Sequence, residues 1–492
     1  MFLLGLDIGS SSIKASLVDA RPGVFRAIAT VRSPATELPI GAPQPGWAEQ
    51  DPEIWWKNCC RAIKVLLKKT AVGPGQVAAV GISYQMHGLV AIDKAGRPVR
   101  PAIIWCDSRA VPIGEKAFRD LGERFCLENY LNPPGNFTAS KLAWVKAHEP
   151  AVFEKIHQIM LPGDYIAFRM TGEATTTVGG LSEGIFWDFN KNAPAQKLLG
   201  YFGFSEKILP ALVPTFGNQG KISKKAAAAL GLAPGTPVSY RAGDQPNNAL
   251  SLNVFRPGEV AATGGTSGVV YGIADRPVFD EKGRINAFAH VNHSPSAPRI
   301  GLLLCINGAG IQWSWLRRLM GGRRVSFQKM GEMAASAAPG ADGLRILPFG
   351  NGAERIFSNK NIGAQALGLD FNRHGPEHFC RAALEGIAFS FVLGVKILQE
   401  KGLDCSILRA GNDNLFQSGV FSATISALLG CRIELLKTTG ATGAAIAAGA
   451  GIGLGDGLGH TEPAGVFEPE KRLAGPLSDA FLDWEARLKK AF

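Results

Sequence analysis

The sequence predicts an α/β fold made of two duplicated domains, residues 1–242 and 243–492, flanking a central cleft. Three observations predict it. Short apolar runs that read as strands alternate with helical stretches along most of the chain. A hydroxyl-rich hairpin at the N-terminus recurs 256 positions later, a little over half of the 492 residues. A repeat that long marks a duplicated domain, since solenoid units span roughly 20–50 residues. At the seam between the copies a strand runs into an acidic residue at a helix start, Ala242-Gly243-Asp244.

The first hairpin, FLLGLDIGSSSIKASLVD, sets strands Phe2–Leu6 and Ile13–Val18 around the turn Asp7-Ile8-Gly9-Ser10-Ser11-Ser12. Glycine permits the turn, and the hydroxyls of Ser10, Ser11 and Ser12 with successive backbone N–H groups make a concavity suited to phosphate oxygens. Asp7 fits an anion site if a divalent cation sits between, because Mg²⁺ takes carboxylate, water and phosphate oxygen. Alone, a Gly-Ser turn is equally at home in an ordinary hairpin. The repeat shifts that balance. Ala262–Asp275 aligns with Leu6–Asp19 without a gap, setting Gly265 on Gly9, Thr266 on Ser10 and Ser267 on Ser11. Two such turns, one per domain, can grip one polyphosphate from both sides of a cleft.

Between the hairpins, Asp51 and Pro52 read as the N-cap and first position of a helix over 53–69, with Trp55, Trp56 and Leu66 on its apolar face. Val77–Ser83 is a strand that delivers Gln85-Met86-His87 into a turn, and Ile103–Arg109 a second strand ending in Trp105, Asp107 and Arg109. Together these ends offer an aromatic wall with hydrogen-bond donors and acceptors, suited to a polyol, although a single His is more often structural. Asn136–Val145 enters a helix carrying Lys141 and Trp144, and Glu183, Trp187 and Asp188 read as structural. Asp244 reads as an N-cap, where the helix dipole favours an ionised carboxylate, and at the seam such a carboxylate can accept a proton from a substrate hydroxyl. In the second half, Ile300–Asn307 is a strand ending in Gly308-Ala309-Gly310. His378–Gln399 is an amphipathic helix, and Ile407–Asn414 a strand entering a Gly-Asn turn before a helix over 416–429. Gly440–Gly451 is a small-residue helix that lets a backbone or a flat base come close.

Composition narrows the function classes. The net charge of +11 is spread over the chain without a basic face or interleaved aromatics, so nucleic acid is not an expected partner. Eight cysteines lack C-x-x-C spacing, which points to reduced thiols in a cytoplasm. No uncharged run reaches the ~20 mostly apolar residues of a membrane span. A Walker A loop and a dinucleotide-binding glycine fingerprint are both missing.

Over nearly its whole length the chain resembles the FGGY family of carbohydrate kinases. The resemblance rests on GLDIGSSSIKASLVD, GWAEQDPEIWW, YQMHGLV, RPAIIWCDSR, FTASKLAWVKAHEP, LPGDYIAFRMTGE, RAGDQPNNA, ATGGTSGVV, LPFGNGAER and RAALEGIAFS. The QMHG turn followed by RPAIIWCDSR is most similar to members that phosphorylate xylulose, rather than glycerol, gluconate or ribulose. The resemblance implies two ribonuclease-H-like domains of the actin and sugar-kinase superfamily, acting on a small sugar and ATP with Mg²⁺. It implies Asp244 as catalytic base, Asp7 assisting Mg²⁺–ATP, and both acids at the metal. Met86 and His87 would contact the sugar, joined by Gln85, Trp105 and Asp107. Ser10, Ser11, Ser12, Lys14, Gly265, Thr266, Ser267 and Gly308 would hold the phosphates of ATP, and Gly411, Asn412 and Asn414 would lie against adenosine. Two stretches differ from relatives: Ala410-Gly411-Asn412 stands where many have three glycines, and Cys106-Asp107-Ser108 where Asn-Asp-Gly is common. The rivals are another FGGY kinase, for ribulose, gluconate or a related polyol, and a non-catalytic actin-like switch. The oligomeric state is open, a homodimer included.

Overall fold

Alternating apolar runs near the N-terminus pair into one sheet. In the computed structural model, which describes residues 1–21, 24–455 and 462–491, the strands are β1 (Phe2–Ile8), β2 (Ile13–Arg21), β3 (Val24–Ser33), β4 (Val77–Tyr84) and β5 (Val238–Gly243). Their order is β5-β4-β1-β2-β3, antiparallel through the hairpin and parallel from β1 to β4 to β5. The central strands are nearly continuous apolar runs because both faces are covered. The helix Pro52–Thr70 lays Trp55, Ile63 and Leu66 into that core; Asp51 accepts a hydrogen bond from the Glu53 N–H, and Pro52 opens the helix.

This sheet belongs to one compact unit, Met1–Asn253 with Phe288–Ile300 and Thr439–His460; a second comprises Val254–Ala287, Gly301–Thr438 and Thr461–Phe492. The seam expected after residue 242 therefore falls inside β5, and the first unit continues through the helix Asp244–Ser251. The small-residue helix Gly440–Gly451 also belongs to the first unit. Its backbone rests on the sheet so closely that a Cβ on Gly5 would stand 1.8 Å from the Ala441 carbonyl oxygen, and one on Gly81 1.9 Å from that of Ala444. Only glycine fits at such an approach. The run of Gly and Ala is thus explained by helix-on-sheet packing, and the flat partner it receives is the first unit's own sheet.

The second unit repeats the pattern. Its strands β6 (Glu259–Gly264), β7 (Gly268–Ala274), β8 (Ile300–Ile306), β9 (Ile407–Gly411) and β10 (Arg432–Leu436) lie in the order β8-β7-β6-β9-β10, extended by Asn286–Ala289 and Gly465–Phe467 into seven strands. Like β1, β6 pairs antiparallel with the next strand and parallel with a distant one. The duplication read from two hairpins thus extends to whole sheets. It is not gapless, however. Ile8 pairs with Ile13 across a four-residue turn, while Gly264 pairs with Gly268 across three, so the repeat slips by one position at Ser12. The helix Pro376–Gln399 is long and apolar enough to cross a membrane, and most of it is buried within this unit.

Two expectations need adjustment, and two elements were not expected. The strand expected over Ile103–Arg109 stops at Ile103, because the Asp107 N–H turns back to the Ile104 carbonyl and the Ser108 N–H reaches that of Gly46. The helix expected from 416 begins at Gly419, after a short 3₁₀ turn Asn414–Gln417. β3 and the helix Phe327–Ser336 go unread in the sequence.

Candidate active site

β5 ends at Gly243, which caps the helix Asp244–Ser251; Asp244 is its first residue rather than the N-cap. Asp244 is half-buried. Burial first, and the negative charge of Asp7 second, push its carboxyl up to about 7, against hydrogen bonds from Gln245 and the charge of Lys14. Asp7 lies near the end of β1, its Oδ2 3.4 Å from Lys14 Nζ and its Oδ1 3.3 Å from Ser83 Oγ. Asn247, one turn beyond Asp244, donates from Nδ2 to the Gly440 carbonyl at 2.9 Å, while its Oδ1 is buried without a hydrogen-bond partner among the described residues. A Cβ on Gly440 would stand 3.4 Å from Asp7 Oδ2, so the N-terminus of the helix Gly440–Gly451 approaches the same carboxylate. Two carboxylates, long hydrogen bonds to Asp7 and an orphaned amide oxygen form an oxygen donor set suited to Mg²⁺, which takes few protein ligands and keeps water and phosphate.

Met86 and His87 stand beside this acid pair. Met86 is buried, and a Cβ on Gly243 would meet its Cγ at 2.7 Å and Glu183 Oε2 at 2.7 Å. Glycine at 243 therefore leaves room for the two side chains that converge there. His87 adopts a left-handed backbone conformation, φ 60°. Its Nδ1 is 2.9 Å from the Glu183 carbonyl oxygen, which can only accept, so Nδ1 carries the proton and Nε2 of the neutral ring is an acceptor. Phe137 and Phe288 pack against the ring. Trp105, 52% exposed, reaches Ser10 Oγ with its indole N–H at 3.4 Å.

Gln85 and Asp107 are buried and face inward. The Gln85 side-chain amide donates to Gln50 at 3.4 Å, and Gln50 in turn donates to the Ser10 carbonyl at 2.7 Å, which ties the QMHG turn to the hairpin turn. Asp107 accepts from the Ala48 N–H at 2.6 Å and pairs with Arg109, whose guanidinium lies 3.7 Å over the Trp47 ring and also meets Glu49. Both residues hold the loops that carry Met86 and Trp105. Sequence reasoning passed over four residues here. Ser83 ends the strand expected just before the YQMHG turn, and Asn247 lies within RAGDQPNNA three residues after Asp244, where only the aspartate was given a role. Glu183 was read as structural; it is buried, and desolvation pushes its carboxyl well above the usual range, with Asp244 and Asp164 adding to the rise. Lys141 is fully buried and donates to the His87 carbonyl at 2.9 Å, and desolvation pulls its ammonium down to about 7.

The second unit carries its own cavity of about 860 Å³. Gly265 and Thr266 of the β6–β7 turn line it, with Trp313, Phe327, Glu332 and Asn414. The turn is held by the helix that follows β8: Gly310 N–H donates to the Gly265 carbonyl at 2.9 Å and Ile311 N–H to that of Thr266 at 3.0 Å. Glu354 accepts from the Asn307 N–H at 3.0 Å, and burial pushes its carboxyl up to about 7. Ser267, Gly308, Gly411 and Asn412 lie outside the lining; Gly308 packs on the Pro348 carbonyl, and the Asn412 N–H extends the ladder to Leu436. A hydroxyl-bearing turn, aromatic walls and this volume suit a nucleotide.

Comparison with known proteins decides the family. Residues 2–251 match the N-terminal domain of the FGGY family of carbohydrate kinases, and residues 260–452 its C-terminal domain. The chain belongs to the FGGY family. The kinase is 28% identical over 401 residues to the xylulose kinase of Bacillus subtilis (strain 168), covering 82% of this chain and 78% of that one. It is 30% identical over 408 residues to the xylulose kinase of Streptomyces rubiginosus, covering 82% and 78%. The crystal structure of xylulose kinase from Rhodospirillum rubrum superposes with a TM-score of 0.87 at 25% identity, covering 100% of the kinase and 99% of that chain. A gluconate kinase from Lactobacillus acidophilus shares the fold with a TM-score of 0.88 at 22% identity, covering 100% and 98%. The two-domain α/β architecture is thus that of FGGY sugar kinases.

Proposed function

We propose that the kinase transfers the γ-phosphate of ATP to the terminal hydroxyl of D-xylulose, giving D-xylulose 5-phosphate, in the cytoplasm. The observation that carries the reading is Asp244, a half-buried carboxyl at a helix start whose affinity for a proton is raised to about 7 by burial and by Asp7. A base poised near the operating pH takes a hydroxyl proton readily and returns it afterwards, a contribution of ~10²–10⁴-fold in rate. Asp244 accepts that proton while the sugar oxygen attacks phosphorus. His87 accepts a second hydroxyl at Nε2, and Met86 and Trp105 form the apolar faces of the sugar pocket. Asp7, with Asp244 and Asn247, would hold Mg²⁺, which when bound supplies positive charge to phosphoryl oxygens. Ser10, Ser11, Ser12 and Lys14 in one unit, and Gly265, Thr266 and Ser267 in the other, offer donors to phosphate, and the aromatic cavity of the second unit takes the base.

A coupled assay of ADP release with D-xylulose, D-ribulose, gluconate and glycerol tests the substrate. D-xylulose is expected to give the highest kcat/KM, by a wide margin, because a site built for hydroxyls leaves buried groups unpaired with the wrong sugar. Turnover of another of these with none of D-xylulose would overturn it.

A further inference from the structure

We propose that Lys141 is a positioning residue for the sugar, its buried ammonium holding the Met86-His87 turn in the shape that turns His87 Nε2 toward a substrate hydroxyl. The inference rests on the assignment of that turn to the sugar. Lysine side chains ordinarily extend their charge to water. Lys141, in the helix Thr138–His148, is fully buried. Its Nζ donates to the His87 carbonyl oxygen at 2.9 Å. Asp107, the acid whose charge acts on Lys141, is taken up by Arg109 and the Ala48 N–H, and Arg109 adds a like charge. An ammonium in that position is held for the carbonyl rather than for an ion pair.

The carbonyl belongs to a residue that needs holding. His87 is a non-glycine residue at φ 60°, a conformation that persists only where the surroundings impose it. Phe137, Phe288 and the Glu183 carbonyl fix its ring, while Lys141 fixes its backbone. Without the ammonium, a buried carbonyl loses a charge-assisted bond and the turn can relax, carrying Nε2 away from its target.

The test compares the wild type with Lys141→Met, Lys141→Gln and Lys141→Arg. Three quantities are read: KM for the sugar, KM for ATP, and deuterium exchange of the peptide spanning Gln85–Gly88 in ligand-free protein. Expected for Lys141→Met are a sugar KM raised about tenfold or more with the ATP KM unchanged, and faster exchange confined to that peptide. Lys141→Arg, which keeps a charged donor, should recover part of both. Sugar and ATP KM rising together, unchanged exchange at the turn, or faster exchange across the whole unit would overturn the proposal, leaving Lys141 merely structural. If Lys141→Met does not fold, Lys141→Gln is read the same way, and failure of both to fold also overturns it. A wild type that turns over no sugar sinks the kinase reading for this pocket, and the exchange comparison still decides whether Lys141 holds the turn.

Discussion

Replacing Asp244 by Asn should make the kinase slower and its first unit more stable, and the two effects have one cause. Burial and the charge of Asp7 raise the carboxyl from 3.8 to about 7. At 1.36 kcal/mol per unit, about three units correspond to an upper limit of about 4 kcal/mol held against the ionised form. Because the folded value lies above the unfolded one, the stability this group contributes is fully present below its unfolded pKa. It is lost as pH rises through about 7, above which the charge weighs on the fold. An amide carries no such charge. In differential scanning calorimetry at about pH 8, Asp244→Asn should melt several degrees above the wild type, at roughly 2–4 °C per kcal/mol for a unit of this size, and the difference should vanish below about pH 4. In the ADP assay the same variant should lose ~10²–10⁴-fold in kcat. For the wild type, kcat/KM should climb about tenfold per pH unit and level off above about 7. An Asp244→Asn protein that turns over within a few-fold of the wild type, or melts below it at high pH, would refute the reasoning.

Three further outcomes follow from particular distances. Gly243→Ala places a Cβ 2.7 Å from both Met86 Cγ and Glu183 Oε2; it should cost ~1–3 kcal/mol by urea unfolding and raise the sugar KM while sparing the ATP KM. Gly5→Ala drives a Cβ to 1.8 Å from the backbone oxygen of Ala441, which cannot swing aside as a side chain would, so circular dichroism should find the first unit unfolded or the protein insoluble. Glu354→Ala deprives the Asn307 N–H of its acceptor in the second unit, and on the proposed nucleotide site steady-state kinetics should give a higher ATP KM with an unchanged sugar KM.

Much of this was legible in the sequence because it is local. Turn glycines, adjacent hydroxyls and flanking apolar runs specify a hairpin within about twenty residues, so both hydroxyl-bearing hairpins could be read, as could the strand-to-helix junction at Asp244. What escaped depends on partners distant in the chain. Gly440–Gly451 reads as a helix for close approach, but nothing in those residues says that Gly5 and Gly81, over 350 positions away, are what it approaches. Lys141 and Glu183, the latter read only as structural, sit on short helices with no local signal of a role in the site; their burial follows from tertiary packing, which overrides the usual preference of charged groups for water. Asp107 has the residue type and spacing of a ligand, yet Arg109 two residues on consumes its carboxylate. The one-residue slip between the hairpins is invisible to an ungapped alignment, since both turns are small and polar and only the pairing partners differ.

The most direct test of the central claim is the product itself, followed by phosphorus NMR after incubation with ATP, Mg²⁺ and D-xylulose. Transfer to the terminal hydroxyl predicts a new phosphomonoester signal split into a triplet by the adjoining methylene protons, growing in step with ADP and absent with Asp244→Asn. A signal split by a single proton, or inorganic phosphate as the only product, would contradict it.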